Sequence, residues 1–286
     1  MKFPLKKTVL LQPIFWVLMV FATTRAVSQT LQPQLLLSAG QQYTYQLQLV
    51  DNIKQTIYGN VLSNSNKYMV NVSFVVEPPT KDSLMKITTF FSDINYAFQL
   101  LGRDTIVSYP GKTGCLKRYI YSPYGQILQR GALENDVQGR TIDLENNLLS
   151  LHLYGELPYK KISVGTQWTR EQPDSIYSIG MGGKIAVKSQ TNYVYSSVMQ
   201  IQNRIYAKIS YQTQLLLNGQ NNMDGAIILT EGNGSRNGEM LIDAENGTLY
   251  SDQNTLDLSV IKSVSGNAVM TIPINQQLSF KVQRIN

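Results

Sequence analysis

The chain has 286 residues, one cysteine, one histidine and a formal net charge of +6. Its length suffices for one large or two small domains with a hydrophobic core. The cysteine count excludes an intramolecular disulfide, and the lone histidine excludes zinc sites built from several histidines.

Residues 1–28 have the pattern of a secretory signal peptide. Three lysines precede an apolar stretch from Val9 to Phe21, and small residues at 26–28 offer a cleavage site. The alternative is an uncleaved signal anchor, although the apolar stretch is short for a bilayer span. We therefore expect a periplasmic or secreted protein without a stable membrane span after cleavage.

Removal of the signal peptide changes the charge of the chain. The mature segment, 29–286, holds 21 basic and 19 acidic residues, which lowers the formal charge from +6 to +2. A nearly neutral chain does not favour nucleic acid or an anionic membrane as a partner. Without disulfides, stability has to come from packing and sheet hydrogen bonds, and Cys115 is interpreted as a buried, inert thiol rather than a reactive nucleophile.

Two stretches of the sequence resemble each other and predict an internal duplication. The opening glycines, Gly40 and Gly165, lie 125 positions apart, and the closing glycines, Gly125 and Gly247, lie 122 apart. Each opening glycine precedes an alternating apolar run, and each closing glycine belongs to a turn before an aliphatic residue. The predicted organisation is a first β unit at 29–132, a helical connector at 133–157 and a second β unit at 158–286.

Alternation of apolar and polar residues predicts antiparallel strands in both units. It is clearest at 43–49, at 68–76, where Pro78 ends the run, and at 205–217. Three dipeptides predict hairpin turns in the second unit because Asn and Gly tolerate positive φ: Asn218-Gly219, Asp224-Gly225 and Asn246-Gly247. The expected fold is mainly β (α+β), with two curved, half-barrel-like antiparallel sheets.

The connector differs from its surroundings in its spacing of apolar residues. Leu144, Leu148 and Leu151 recur at helical intervals beside His152, and Pro158 prevents continuation. We expect a helix that covers the apolar face of a curved sheet. A membrane-embedded β structure fits less well, because the C-terminus lacks a final aromatic residue and no steady outward apolar band is present.

Two glycine-containing segments resemble cofactor-binding motifs, but their spacing and flanking residues do not match those motifs. Gly111-Lys112-Thr113 lacks the preceding glycine and the following helix of a phosphate-binding loop. Gly232, Gly234 and Gly238 have the wrong spacing for a dinucleotide site and are interpreted as a hairpin loop. No cofactor and no metal site are expected.

Candidate catalytic residues are few. His152 lies outside any nucleophile motif, and a lone histidine is more often packed or solvated than catalytic. Asp243 and Glu245 could act as paired carboxylates, but they precede a turn where acids are common, and Asp93 would matter only if buried. The expectation is therefore a protein that is not an enzyme, with no catalytic, cofactor-binding or metal residues assigned.

Seventeen tyrosines allow two interpretations. Ordinary sheet packing explains their strand periodicity, whereas a concave aromatic surface could hold a lipid, glycan or peptide. Those assigned to strands are Tyr43, Tyr45, Tyr58, Tyr68, Tyr193, Tyr195, Tyr206 and Tyr211. Packing is the favoured interpretation.

Three short motifs could report on modification. Each combines Asp, a hydroxyl residue and an aliphatic residue near an expected loop, and each resembles the acceptor motif for O-glycosylation in exported Bacteroidota proteins. The acceptor residues would be Ser83, Thr105 and Ser175.

The segment from Leu157 to Trp168 resembles the mid-chain signature of an uncharacterised Bacteroidota family of exported proteins, a Leu-Pro followed by Val-Gly-x-x-Trp. Gly40-x-x-Tyr43, Gln55-x-x-x-Gly59, Gly238 and the 243–247 segment also fit it. The resemblance implies no activity and no catalytic residues. At fold level, a curved sheet with a covering helix is also similar to periplasmic lipoprotein carriers, from which no function follows.

The functional expectation is an exported, non-catalytic binding protein that holds an apolar or amphipathic ligand, such as a lipid, on a concave β surface. One alternative is an envelope structural or interaction protein that acts through a sheet edge or loops. A carbohydrate-active enzyme is the third candidate.

Overall fold

The computed structural model describes residues 30–31, 34–78, 84–100, 103–125, 127–130, 157–179, 183–223, 226–265 and 270–285. Within these ranges the chain forms strands, turns and loops and contains no helix. The signal peptide and the helical connector lie outside the described residues, except for Leu157. The strands are β1 (Thr30–Leu31), β2 (Gln42–Ile57), β3 (Asn60–Val76), β4 (Met85–Leu100), β5 (Arg103–Tyr121), β6 (Ile127–Arg130), β7 (Ile162–Ser163), β8 (Gln167–Ile179), β9 (Gly183–Ile201), β10 (Arg204–Met223), β11 (Ala226–Asp243), β12 (Leu249–Ser265) and β13 (Met270–Arg284).

Eleven of these strands form one antiparallel sheet in the order β6-β5-β4-β3-β2-β13-β12-β11-β10-β9-β8. The first meander runs from β2 to β6 at one edge, and the second runs from β8 at the other edge back to β13. The two meet where β13 pairs with β2, from Ile274 opposite Gln55 to Arg284 opposite Tyr45. The prediction of a mainly β, antiparallel protein is confirmed, but the two predicted sheets are one continuous eleven-stranded sheet, beside which β1 and β7 pair separately.

The strands are unusually long, and their length corrects one predicted turn. β10 has 20 residues, whereas strands of globular proteins usually have about 5 or 6. Asn218-Gly219 lies inside β10 and not in a hairpin, with Gly219 opposite Thr230 on one side and Ile185 on the other. Asn246-Gly247 does form the turn between β11 and β12, and Asp224-Gly225 lies outside the described residues.

Two-residue turns join the strands at the far end of each meander. Tyr58 and Gly59 connect β2 to β3 with φ of 49° and 78°, and Gln202 and Asn203 connect β9 to β10 with φ of 48° and 65°. Positive φ at both positions is the type I′ geometry that matches the twist of a hairpin. Tyr58 is therefore a turn residue with 85% of its surface exposed, and its assignment to a strand was wrong.

The opening turns of the two predicted units have the same local structure. Gly40 and Gly165 have φ of 82° and 91°. Their amides donate to the carbonyl oxygens of Val76 in β3 and Tyr195 in β9, both at 2.8 Å. In each turn the serine two residues earlier donates its amide to the side-chain oxygen of the residue after the glycine, at 2.8 Å and 3.1 Å.

The closing turns share one side-chain contact. The Oγ of Ser122 accepts the amide of Tyr124 at 3.2 Å, and the Oδ1 of Asp243 accepts the amide of Glu245 at 3.0 Å. Gly125 and Gly247 follow with φ of 82° and 73°. Matching turns at matching sequence intervals support the predicted duplication, which remains a prediction at the level of whole units.

The hydrophobic core is concentrated at the end of the sheet that contains these four turns. Its buried residues come from nine strands of the sheet, β2–β5 and β9–β13, so the sheet rolls around them. They include Tyr45, Val72, Phe74, Ile87, Tyr195, Ile209, Ile242 and Val282. The hydroxyl of Tyr45 donates to the carbonyl oxygen of Leu249 at 2.9 Å, which satisfies its one polar group inside the core.

The N-terminal segment closes this end of the rolled sheet. β1 pairs with β7, and Leu31, Leu35, Leu157 and Ile162 join the core. The backbone amides of Leu35 and Leu36 donate to carbonyl oxygens in the two closing turns, that of Pro123 at 2.7 Å and that of Asn246 at 2.9 Å. The segment therefore links the turn regions of both meanders.

Candidate functional site

The two faces of the sheet are distinguished by alternation along each strand. In β10, Ala207, Ile209 and Tyr211 are buried in the core, whereas Gln212 and Leu216 of opposite parity are exposed. We call the face that bears the core the inner face and the opposite one the outer face. Pairing registers extend this assignment from strand to strand.

The burial of the inner-face side chains decreases from one end of the strands to the other. At the end with the four turns, which we call the closed half, its side chains are fully buried. Towards the other end, which we call the open half, nine aliphatic side chains lie on this face among polar ones such as Ser189, Asn221 and Lys262, and all of the nine except Val260 are half-buried. These aliphatic residues are Ile53, Ile185, Val187, Leu217, Ile228, Val260, Val264, Ile272 and Ile274. Among the described residues of the open half, no second layer covers this surface as the N-terminal segment covers the closed half.

Three glycines of β11 lie on the inner face and allow strong curvature there. A Cβ at Gly234 would come within 2.4 Å of the Leu258 side chain, and one at Gly238 within 2.5 Å of the Tyr211 ring. A Cβ at Gly232 would lie 2.6 Å from the Ser259 carbonyl oxygen. Side chains and backbone of β10 and β12 thus occupy the space beside these positions of β11. The interpretation of these glycines as a hairpin loop was wrong, because they lie inside a strand.

A buried polar cluster lies on the inner face where the two halves meet. The Tyr211 hydroxyl donates to both carboxylate oxygens of Asp252, at 2.9 and 3.1 Å, and the Asn254 amide donates to the same carboxylate at 3.3 Å. The guanidinium of Arg236 lies 5.5 Å from the centre of the Tyr211 ring. Asn254 is 5% exposed, and its Oδ1 has no hydrogen-bond partner among the described residues.

Burial determines the protonation of this cluster. Desolvation raises the pKa of Asp252, while the Tyr211 hydroxyl, the positive charge of Arg236 and the Asn254 amide oppose that rise. Desolvation and the neighbouring Asp252 charge also raise the pKa of Tyr211. The tyrosine is therefore a hydrogen-bond donor and not a base at neutral pH.

Two further polar contacts lie beside the cluster on the inner face. The hydroxyls of Thr191 and Thr213 are 3.0 Å apart, and the Gln276 amide donates to Asp51 at 2.9 Å. Desolvation raises the pKa of Asp51, and the Gln276 hydrogen bond opposes it. These polar groups lie beside a second cluster of buried apolar residues, Leu49, Leu256, Leu278 and Phe280, at the boundary between the closed and open halves.

A cavity of about 580 Å³ lies on the other side of the sheet. It spans β9 to β13, and most of its lining residues have outer-face parity, so it is an open groove on the outer face. Exposed apolar side chains alternate in it with amides and charges: Ala186, Lys188, Leu216, Asn218, Glu231, Asn233, Ser259, Ile261, Pro273 and Asn275. No pattern in the sequence indicated this groove, because its lining depends on the register of five strands.

The acidic residues considered for catalysis take structural positions. Asp243 is 2% exposed, and its carboxylate lies 3.5 Å from Arg204 and 4.0 Å from Arg284. Its other oxygen accepts the amide of Glu245 in the closing turn. Asp93 is exposed at an irregularity of β4, so the burial that would have made it a candidate acid is absent.

The other residues considered in the sequence analysis do not cluster in the structure or lie outside the described residues. Thr105 is in β5 near its start and Ser175 is inside β8, whereas Ser83 and His152 fall outside the described residues. Cys115 lies in β5, but its side chain is not described. Gly111-Lys112-Thr113 is also part of β5, so no helix follows it and the rejection as a phosphate loop is confirmed.

The tyrosines of the inner face mainly pack against one another. Tyr193 stacks on Trp168 at 5.1 Å and lies 5.9 Å from Tyr211, and Tyr45 meets Phe74 edge to face at 5.4 Å. All five rings belong to the closed half or its boundary. Their burial supports packing as their main role, and the open surface is aliphatic rather than aromatic.

Within the described ranges, no cluster of three or more His, Cys, Asp or Glu residues could hold a metal ion. The same part of the chain contains no helix long and apolar enough to cross a membrane.

No family model and no curated protein matches this chain. The resemblance of the Leu157–Trp168 segment to a Bacteroidota family therefore remains a prediction.

Among solved structures, the chain is weakly similar to an outer membrane channel from Pseudomonas putida F1, with 11% identity, a TM-score of 0.24 and coverage of 89% of this chain and 98% of that one. Salmonella typhi OmpF in complex with daunomycin shows 7% identity and a TM-score of 0.26, covering 86% of this chain and 98% of its own. Pseudomonas aeruginosa OccK5 has the same identity and coverage with a TM-score of 0.24. None of these three is a lipoprotein carrier, and TM-scores this low do not establish a common fold.

Proposed function

We propose that this protein is an exported, non-catalytic binding protein that holds the apolar part of a small ligand on the inner face of the open half. The observation that supports this most is the gradient along the inner face. The same face that is fully buried in the closed half continues as half-buried aliphatic surface in the open half.

The energetics of this surface favour an occupant. Large contiguous apolar surfaces are rarely left open to water in monomeric proteins, and those that are exposed commonly bind something. Completing the burial of one half-exposed aliphatic side chain gains roughly 1 kcal/mol. Eight half-buried aliphatic side chains line the open half. The loss of translational and rotational freedom on binding offsets part of their combined gain, and only the surplus appears as affinity.

The outer groove supports a second candidate, an envelope interaction protein. Leu216 and Ile261 are 61% and 51% exposed there, among amide and charged side chains. A mixed groove of this kind suits a polypeptide segment better than an alkyl chain, because it offers hydrogen bonds along its whole length.

Adjacent leucines of β10 allow the two surfaces to be tested separately. Both residues border the groove, but Leu216 has outer-face parity and is 61% exposed, whereas Leu217 has inner-face parity and is half-buried. We expect Leu217→Glu to weaken binding of an environment-sensitive apolar probe by about tenfold or more, since it places a charge on an apolar contact surface. Leu216→Glu is the matched control and should leave the affinity unchanged.

The measurement is a fluorescence titration of 1-anilinonaphthalene-8-sulfonate or N-phenyl-1-naphthylamine, with circular dichroism to verify folding of both variants. Loss of probe binding in Leu216→Glu together with full binding in Leu217→Glu would move the site to the outer groove. Absence of saturable probe binding to the unmodified protein would refute the proposal.

A further inference from the structure

We propose, on the basis of the function proposed above, that the ligand is a single-chain amphiphile with an anionic head group and an adjacent hydroxyl, such as a monoacyl glycerophosphate, and that Arg236 and Asn254 bind its head. The alkyl chain then lies along the aliphatic surface of the open half. The head group occupies the polar boundary between the two halves.

The position of Arg236 on the inner face supports this assignment. It lies in β11 between Gly234 and Gly238, which share its face and contribute no side chains. It is half-buried, with its guanidinium over the Tyr211 ring at the boundary. A guanidinium in such a setting is well suited to a phosphate or carboxylate, because it presents several donors in one plane and is weakly hydrated.

The distribution of charge favours an anion over a cation. Among the described inner-face side chains of the open half, the charged one is Lys262, which is positive. The acids at the boundary, Asp51 and Asp252, already accept hydrogen bonds from Gln276 and from Tyr211 and Asn254.

Asn254 supplies the independent observation that points to a ligand. Its side-chain amide nitrogen donates a hydrogen bond to Asp252, but its Oδ1 is buried without a hydrogen-bond partner among the described residues. A buried acceptor left unsatisfied is destabilising, so a donor at this point is favoured. A hydroxyl next to the anionic group would be that donor, which a simple fatty acid does not have.

Three ligands with the same oleoyl chain separate these contributions: oleoyl lysophosphatidate, which has charge and hydroxyl, oleate, which has charge alone, and monooleoylglycerol, which has hydroxyls alone. Displacement of a bound fluorescent probe measures each affinity. The expected order is lysophosphatidate, then oleate, then monooleoylglycerol. Arg236→Gln should weaken the two anions about tenfold or more and leave monooleoylglycerol unchanged, since it removes one charge-assisted contact with the anionic group.

Three further variants test the head-group assignment. Arg236→Lys should restore most of the anion affinity, and Lys281→Gln, which removes the same charge from the outer face, should change nothing. Asn254→Ala should weaken lysophosphatidate several-fold and leave oleate unchanged. Equal binding of all three ligands, unaffected by Arg236→Gln, would overturn the head-group assignment while the proposed function stands. Failure of all three to bind would overturn both.

Discussion

At the scale of single residues, the inner-face glycines of β11 show how the sheet forms its boundary region. Gly238 leaves space for the Tyr211 ring, and the Tyr211 hydroxyl then reaches Asp252 two strands away. A side chain at position 238 would prevent this contact. The polar cluster therefore depends on a residue that has no side chain. In the sequence, a glycine pattern of this kind indicates a loop.

The buried carboxyl of Asp252 gives a pH-dependent prediction. Its folded pKa is raised above the ordinary value of 3.8, mainly by desolvation, so the folded state binds the proton more tightly than the unfolded state. The stability contributed by the protonated form is fully present below pH 3.8 and is lost as the pH rises through the folded pKa. We expect the stability of the unmodified protein relative to Asp252→Asn to increase on acidification from neutral pH. Urea unfolding of both proteins over this pH range measures the difference, and a difference that is constant with pH would contradict the account.

At the scale of elements, the two-residue turns are sites where the backbone conformation sets stability. Gln202 and Asn203 both have positive φ, but neither is glycine, whereas the corresponding Tyr58 turn has Gly59 at its second position. Asn203→Gly should therefore stabilise the protein by a few tenths to about 1 kcal/mol, because glycine adopts positive φ without steric cost.

The matched change is Gly59→Ala in the β2–β3 turn. A Cβ there meets nothing within 4 Å, so the cost comes from the φ of +78° alone and should be about 1 kcal/mol. Midpoints of urea unfolding provide both values. Destabilisation by Asn203→Gly would show that contacts of the Asn203 side chain, and not backbone conformation, determine this turn.

The sequence predicted those elements whose alternation is regular, and the structure shows why others were missed. The alternation at 43–49, 68–76 and 205–217 correctly identified β2, β3 and β10, and the positive-φ glycines marked the opening and closing turns. Gly219 was mistaken for a turn because it lies inside a strand of 20 residues, far beyond the usual length. Gly232, Gly234 and Gly238 were misassigned for the same reason.

The lining of the candidate site could not be predicted from the sequence. A concave sheet surface with an apolar ligand was expected, and aromatic residues were considered as its lining. The tyrosines instead fill the closed half, and the open surface consists of aliphatic residues from several strands that are distant in sequence. Their proximity depends on strand register, which single-sequence periodicity does not determine.

At the scale of the whole molecule, one long sheet serves two purposes. Its closed half is stabilised by a packed core and by the N-terminal segment that contacts both closing turns. The same strands extend into the open half, where the inner face carries mostly half-buried aliphatic side chains among a few polar ones. The packed end supplies folding stability, so we propose that the open end is available for binding.

Native mass spectrometry of the protein purified from cells that export it tests this proposal most directly. We expect a protein–ligand complex whose added mass corresponds to one alkyl-chain amphiphile, with the species lost in Leu217→Glu and retained in Leu216→Glu. Lipid extraction of the same sample should identify the bound molecule. Unmodified protein that carries no ligand and binds none when oleoyl lysophosphatidate, oleate or monooleoylglycerol is added would contradict the central claim.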